Sequence, residues 1–251
     1  TEFWQARASL VMTDTKGNDI ALPKNVRAYL MPSTPHSEGF GEAPYQTAYC
    51  QNLANPLHNG GPMRALLQAL HLWVSEGDEP PDSEWPNRSN GTLVSREQLA
   101  DSFPNIPGAT FPQVLNGLRV TDYSVQPPRQ GTEYPVFVPT VNADGNEIPG
   151  IRLPHVSAAV ATYTSWNLVK AGYAKGSLCS VIGSTLRFAE TRAGRAASDD
   201  PRQSIEERYD SKADYVDAIE EAALQLVEKR LLLEEDVDLY VELARQRDIG
   251  L

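Results

Sequence analysis

The chain has 251 residues, 41% of them apolar, enough for one large core or two modest ones, and a net charge of −11. No basic stripe interleaved with aromatics exists, which argues against a nucleic-acid partner, and no apolar run is long enough to span a bilayer. No signal peptide is seen, but the chain opens at Thr1 without Met, so the natural start is expected elsewhere.

Residues 1–12 read as a short helix or turn with Trp4, Ala8 and Val11 on one side. The DTKGND run at 14–19 is turn chemistry. VRAYLM at 26–31 is a β-rich run ended by Pro32, as in an inner strand of a parallel sheet. A loop at 32–42 follows and holds Ser33, Thr34 and His36. Asn59-Gly60-Gly61-Pro62 then starts the clearest helix of the first half, with proline at its first position. Met63, Leu66, Leu67, Leu70, Trp73 and Val74 recur at helical spacing, and Gly77 ends the run. This apolar stripe is expected to cover the preceding strand.

From 78 to about 155 the character changes, and 12 of the chain's 19 prolines cluster between Pro80 and Pro154. Residues 134–140 and 148–153 flank an Asn142-to-Asn146 turn whose Asp144-Gly145 pair signals a hairpin. The tail is helical: Ser204 with Glu207, and Ser211 with Asp214, mark helix starts. Tyr215, Ile219, Ala223, Leu226 and Val227 follow as an amphipathic face, and a further helix is expected over 234–247.

The division that results places closing strand and helix elements in 1–77, a proline-rich segment with a β-hairpin in 78–170, and a helical region in 171–251. Cys50 and Cys179 form either one disulfide or two buried thiols. With no CxxC and no HExxH arrangement among the four histidines, no metal site is expected.

Catalysis by a Ser-His-acid triad needs a histidine to take the serine proton and a carboxylate to fix the histidine tautomer. On the α/β-hydrolase sheet the chain order is serine, acid, histidine. Glu2 and His36 stand in that order 34 positions apart, with the 26–31 strand between them. By spacing alone, an idle loop histidine is the plainer reading of His36, because carboxylate-then-histidine pairs at such a distance are common by chance.

TEFWQARASLVMTDTKGN is similar to a pattern EYW-x-R-x-ASL-x-HTD, and the NVRAYLMPSTPHSEG run to N-V-R-x-Y-x₃-G-T-x-H-G. NPL followed by RALLQALHLWV, GTLV, FPNIPG, VPTVNADGNEIPGIRLP, TYTSWNL and DPRQSIEERY continue the likeness in order. On these motifs the chain resembles, along most of its length, a family of bacterial α/β-hydrolase-domain proteins that are carboxylesterase-like. Three departures stand out: Phe3 replaces Tyr, Met12 replaces His, and Ser33-Thr34-Pro35-His36-Ser37 replaces G-T-x-H-G. Serine is less free than glycine at positive φ, so the last change bears on the loop's conformation.

What the resemblance implies is the C-terminal part of an α/β-hydrolase, secreted or in the cell envelope, with Glu2 as acid and His36 as base. It implies a small-molecule carboxylic ester as substrate, no cofactor, and a GxSxG serine and oxyanion hole upstream of residue 1 or on a partner chain. No GxSxG occurs in these residues, and Gly183-Ser184 reads as a turn.

Trp4 and Trp166, with Tyr163, are candidates to line a substrate pocket, although core packing is the plainer fate of such residues. His155 reads as a loop histidine satisfied by backbone, His58 as solvated, and His71 as packed at a helix edge. Thr1 raises an N-terminal-threonine hydrolase, in which the hydroxyl attacks and the α-amine is the base. The helical start argues against the layered sandwich such enzymes use. A non-catalytic interaction module derived from a hydrolase is the other alternative.

Overall fold

The computed structural model describes residues 1–36, 43–115 and 117–251. In chain order the elements are α1 (Glu2–Gln5), a 3-10 turn (Ala8–Val11), α2 (Gly60–Glu76), β1 (Leu93–Ser95), α3 (Arg96–Ser102) and β2 (Arg119–Asp122). Then come β3 (Arg129–Glu133), β4 (Phe137–Pro139), α4 (Pro154–Ser157), β5 (Ala161–Thr164), β6 (Ser184–Arg187) and α5 (Arg192–Ala197). The chain closes with α6 (Ile205–Arg208), α7 (Lys212–Glu228), a 3-10 turn (Glu234–Asp236) and α8 (Val237–Gln246).

All three sheets among the described residues are two-stranded and antiparallel: β1 with β4, β2 with β3, and β5 with β6. The strand expected at 26–31 is corrected to an extended segment. It makes one isolated parallel bridge, Tyr29 to Glu84, and Leu30 bonds the Glu84 carbonyl on one side while accepting from Ile151 on the other. A ladder fails there because Pro80, Pro81 and Pro86 flank the bridging residue, and proline has no N–H to give. The 134–153 hairpin is also reduced. Its turn forms, with Asn142 Oδ1 accepting from the Asp144 and Asn146 amides, but only Val141 and Glu147 bridge across it. The outer arm, β4, pairs with β1 instead.

Three groups of buried side chains hold the molecule together. One joins α7, α8 and their flanks through Tyr215, Ile219, Leu231, Leu232, Tyr240 and Val241. A second gathers Phe3, Trp4, Leu93, Leu99, Phe137 and Trp166. A third, smaller group comes from Leu57, Leu153, Val156 and β5. The tail helices start as their sequence dictates: Ser204 and Glu207 complete a reciprocal cap on α6, and the Ser211 hydroxyl accepts from Asp214 N at 3.2 Å on α7.

Helix α2 closes at Gly77, φ 77°, as expected, but it opens at Gly60, so Pro62 stands at its third position rather than its first. Its orientation reverses the expectation. Gly61, Ala65 and Ala69 face inward, while Met63, Leu67, Leu70 and Val74 face solvent. Gly61 is the reason: it lets the helix lie against Leu232 and Tyr240, where a Cβ would stand 2.8 Å from Leu232 Cδ1. Val11, expected on the inner side of the first turn, is exposed as well. Cys50 and Cys179 are joined in a disulfide.

Candidate active site

Glu2 lies in the first turn of α1, and the loop after the 26–31 segment carries His36. The two side chains meet: His36 Nδ1 is hydrogen-bonded to Glu2 Oε1. A carboxylate only accepts, so Nδ1 carries a proton, and in the neutral ring Nε2 is then the nitrogen with the lone pair. Burial raises the Glu2 carboxyl, but the Thr1 amine and the hydrogen bond from His36 more than offset it, leaving it below its ordinary value. Glu2 is thus ionised wherever an imidazole titrates. Both side chains are open to solvent, at 44% for Glu2 and 61% for His36.

One carbonyl ties the two segments together. Val181 O accepts from His36 N at 2.9 Å and from the Thr1 hydroxyl at 3.3 Å, while Gln5 Nε2 bonds the adjacent Ser180 carbonyl. The acid-bearing turn and the histidine loop therefore rest on the same connection into β6.

Behind the loop is a buried polar platform that sequence reading missed. Ser33 has φ 58°, the left-handed conformation that the glycine of the related pattern adopts freely and a serine adopts at a cost of about 1 kcal/mol or more. Three hydrogen bonds hold it there. Ser33 N donates to Glu147 Oε2 at 2.7 Å, Glu147 N donates to Ser33 Oγ at 2.9 Å, and Asn55 Nδ2 donates to Ser33 O at 2.7 Å. The Glu147 carboxylate also accepts from Ser165 Oγ at 2.9 Å and Trp4 Nε1 at 3.4 Å. Glu147 is buried, and no cation pairs with it among the described residues. Its hydrogen-bond donors, the Ser33 amide, the Ser165 hydroxyl and the Trp4 indole, are all neutral. The signal for it was present in the NADGNE run, but its meaning depends on Ser33, 114 positions away.

The aromatic pocket candidates are elsewhere. Trp4 and Trp166 are buried 5.7 Å apart in one cluster with Phe103 and Phe111, so they are core residues and line neither cavity described below. Tyr163 does line one. A cavity of about 460 Å³ lies between β5, β6 and the end of α8, walled by Val160, Tyr163, Phe188, Ile205, Leu243 and Arg247 among others. A second, of about 160 Å³, has His58, Gly61, His155, Tyr240, Leu243 and Arg247 in its wall. Neither Glu2 nor His36 lines either one.

The other histidines also depart from expectation. His155 is buried in α4 with neither ring nitrogen hydrogen-bonded among the described residues, rather than satisfied by backbone. Burial, helped by Arg247, drives its imidazole well below the ordinary value, so it is neutral. His71 is exposed rather than packed, and His58 Nδ1 accepts from Gly60 N at 3.0 Å. Ser184 is buried at the start of β6, where its hydroxyl bonds Thr164 and the Trp166 carbonyl, and Gly183 has φ 61°. The Thr1 hydroxyl is directed to Val181 O, and the layered sandwich of an N-terminal-threonine hydrolase does not form among the described residues. The part of the histidine loop at 37–42, including Ser37, lies outside the described residues.

A family model described as an alpha/beta hydrolase domain matches residues 4–242. The matched span takes in His36, Asn55 and Glu147 and begins two residues after Glu2. Neither the curated proteins nor the solved structures gave a match.

Proposed function

Because the chain belongs to the alpha/beta-hydrolase domain family, we propose that it supplies the acid and the base of a serine-type hydrolase of carboxylic esters. The observation that carries the reading is the Glu2–His36 contact, which sets the tautomer a general base requires. The acid-then-histidine order and the braced loop beneath His36 support it.

In this scheme the nucleophile is a serine in a GxSxG segment outside these residues, which also brings the oxyanion hole. The serine oxygen attacks the ester carbonyl as His36 Nε2 takes its proton. Glu2 faces the positive charge that then develops on the imidazole. The tetrahedral intermediate collapses, the C–O bond breaks, and His36 returns the proton to the departing alkoxide. Water, deprotonated by His36, attacks the acyl-enzyme and releases the carboxylic acid with the serine restored. No metal or organic cofactor takes part. A secreted or cell-envelope location goes with this proposal, and the Cys50–Cys179 bridge favours an oxidising compartment.

The test is kinetic, on protein that includes the GxSxG segment. His36→Ala is expected to lower kcat/KM for a p-nitrophenyl ester by about 10⁴-fold, the scale set by loss of a triad member. Glu2→Gln is expected to lower it less, because its carboxylate is half open to water. Labelling of the serine by a fluorophosphonate should slow in parallel. Unchanged turnover in His36→Ala overturns the proposal.

A further inference from the structure

Arg247 walls both cavities, and its charge is the unusual feature of that end of the molecule. It caps the C-terminal end of α8, partly buried, and its Nη1 donates to the Tyr163 hydroxyl at 2.7 Å. No carboxylate among the described residues lies within ion-pair distance of it. Its near electrostatic neighbours are phenols, Tyr163 and Tyr215, and the backbone carbonyl of Arg247 is already taken by Lys212 Nζ. A guanidinium withdrawn from water is ordinarily matched by an anion, because burying an unpaired charge is costly.

The surroundings say what kind of anion. Tyr163 accepts from Arg247, which leaves its own O–H proton free to donate. Guanidinium and phenol together make a pair of donors suited to a carboxylate. Beyond them Val160, Phe188, Ile205, Leu243 and Ile249 form an apolar stretch of wall in the 460 Å³ cavity, which is of a size that takes small organic molecules, and Thr185 and Gln246 add polar groups to the lining. Glu190, Asp248 and Arg187 also line it, but these three are exposed to solvent. On the other side of Arg247, the buried His155 ring has no hydrogen-bond partner for either nitrogen among the described residues and lines the adjoining cavity. As a neutral imidazole it offers one further N–H beside the guanidinium.

We propose that the cavity walled by Tyr163, Phe188 and Arg247 is a binding site for a monocarboxylate with an apolar body, such as a medium-chain alkanoate, held by the Arg247 guanidinium and the Tyr163 hydroxyl. The site is separate from Glu2 and His36, neither of which lines the cavity, and binding there requires no turnover.

Calorimetric titration of the full chain with octanoate tests it, with octan-1-ol as the probe of equal length and no charge. Saturable binding of one octanoate per chain is expected, with octan-1-ol weaker by about tenfold or more, the scale of a charge-assisted hydrogen bond. Arg247→Gln is expected to erase that preference. Equal affinity for the two probes, no saturable octanoate binding, or undiminished octanoate affinity in Arg247→Gln each overturns the proposal. Should Arg247→Gln fail to fold, Tyr163→Phe is read instead: it keeps the ring and removes the donor. A loss of about threefold or more in octanoate affinity with octan-1-ol unaffected supports the site, and unchanged octanoate affinity overturns it.

Discussion

Helices α2 and α7 are both 17 residues long and both carry an apolar stripe at helical spacing, yet they use it in opposite ways. Helix α7 lays Tyr215, Ile219, Ala223 and Leu226 into the core. Helix α2 buries its small face and leaves Leu67 at 67% and Val74 at 81% exposure. Periodicity locates a stripe on a helix, but closeness of approach decides which side packs. Gly61, Ala65 and Ala69 bring the α2 backbone near Leu232 and Tyr240, and the large side chains, roughly opposite on the helical wheel, are turned away by that choice.

The comparison can be broken or sharpened by substitution. The largest effect is expected at the buried Arg202–Asp200 ion pair, which touches Phe188 in the core cluster that α7 enters. Arg202 bonds Asp200, Thr162 and the carbonyls of Leu186 and Arg187, and its guanidinium stacks over Phe188. Arg202→Met leaves Asp200 buried and unpaired, and urea melts should show a loss of about 3–5 kcal/mol. The same pair sets an acid sensitivity. Burial raises the Asp200 carboxyl, but hydrogen bonds from Arg202 and its charge hold it below the ordinary 3.8. Its contribution to stability is therefore complete above the unfolded value and is lost as pH falls through the depressed folded one. Melts at pH 3 and pH 5 should differ more for the native chain than for Asp200→Asn; an equal difference removes Asp200 as the cause.

Next comes the stripe itself. Ile219→Ala is expected to cost about 2–5 kcal/mol, because the side chain is wholly enclosed. On α2 the sensitive position should be the glycine: Gly61→Val pushes carbon into Leu232 and Tyr240 and should cost about 1–3 kcal/mol, seen as a lower Tm. The smallest effect is Leu67→Ala, within about 0.5 kcal/mol. A Leu67 loss as large as that of Ile219 would mean that the α2 stripe is covered after all.

Local chemistry was readable where it is self-contained. The stop of α2 at Gly77, the caps of α6 and α7, and the 14–19 and 142–146 turns depend on residues a few positions apart, and each formed as its sequence requires. Elements that need a distant partner were not readable. The 26–31 run has strand character, but whether it becomes a strand depends on the donors of its neighbour, and prolines around Glu84 withhold them. The arm of the 134–153 hairpin was diverted because β1 offered it a longer register. At the candidate site, the Glu2–His36 pairing came from order and family pattern. Glu147 stayed hidden because nothing local marks a glutamate as the support of a loop 114 positions away. Trp4 was read as a pocket residue because it follows Glu2 by two positions, but it belongs to the core, with only its indole N–H reaching the polar platform.

The disulfide has a topological consequence. It closes a ring from residue 50 to residue 179, a span that includes α2, the proline-rich middle and β5, while β6 and every helix after it hang outside. The covalent tether thus restrains the least regular part of the chain and gives the helical tail no help. That tail is held by the β5–β6 ladder, the Arg202 brace and the seat of Leu232 on Gly61. When denaturant loosens the molecule, the tail is the part at liberty to leave first, peeling β6 from β5 while the ring stays shut. Mild proteolysis would register this as early cuts confined to positions beyond 184.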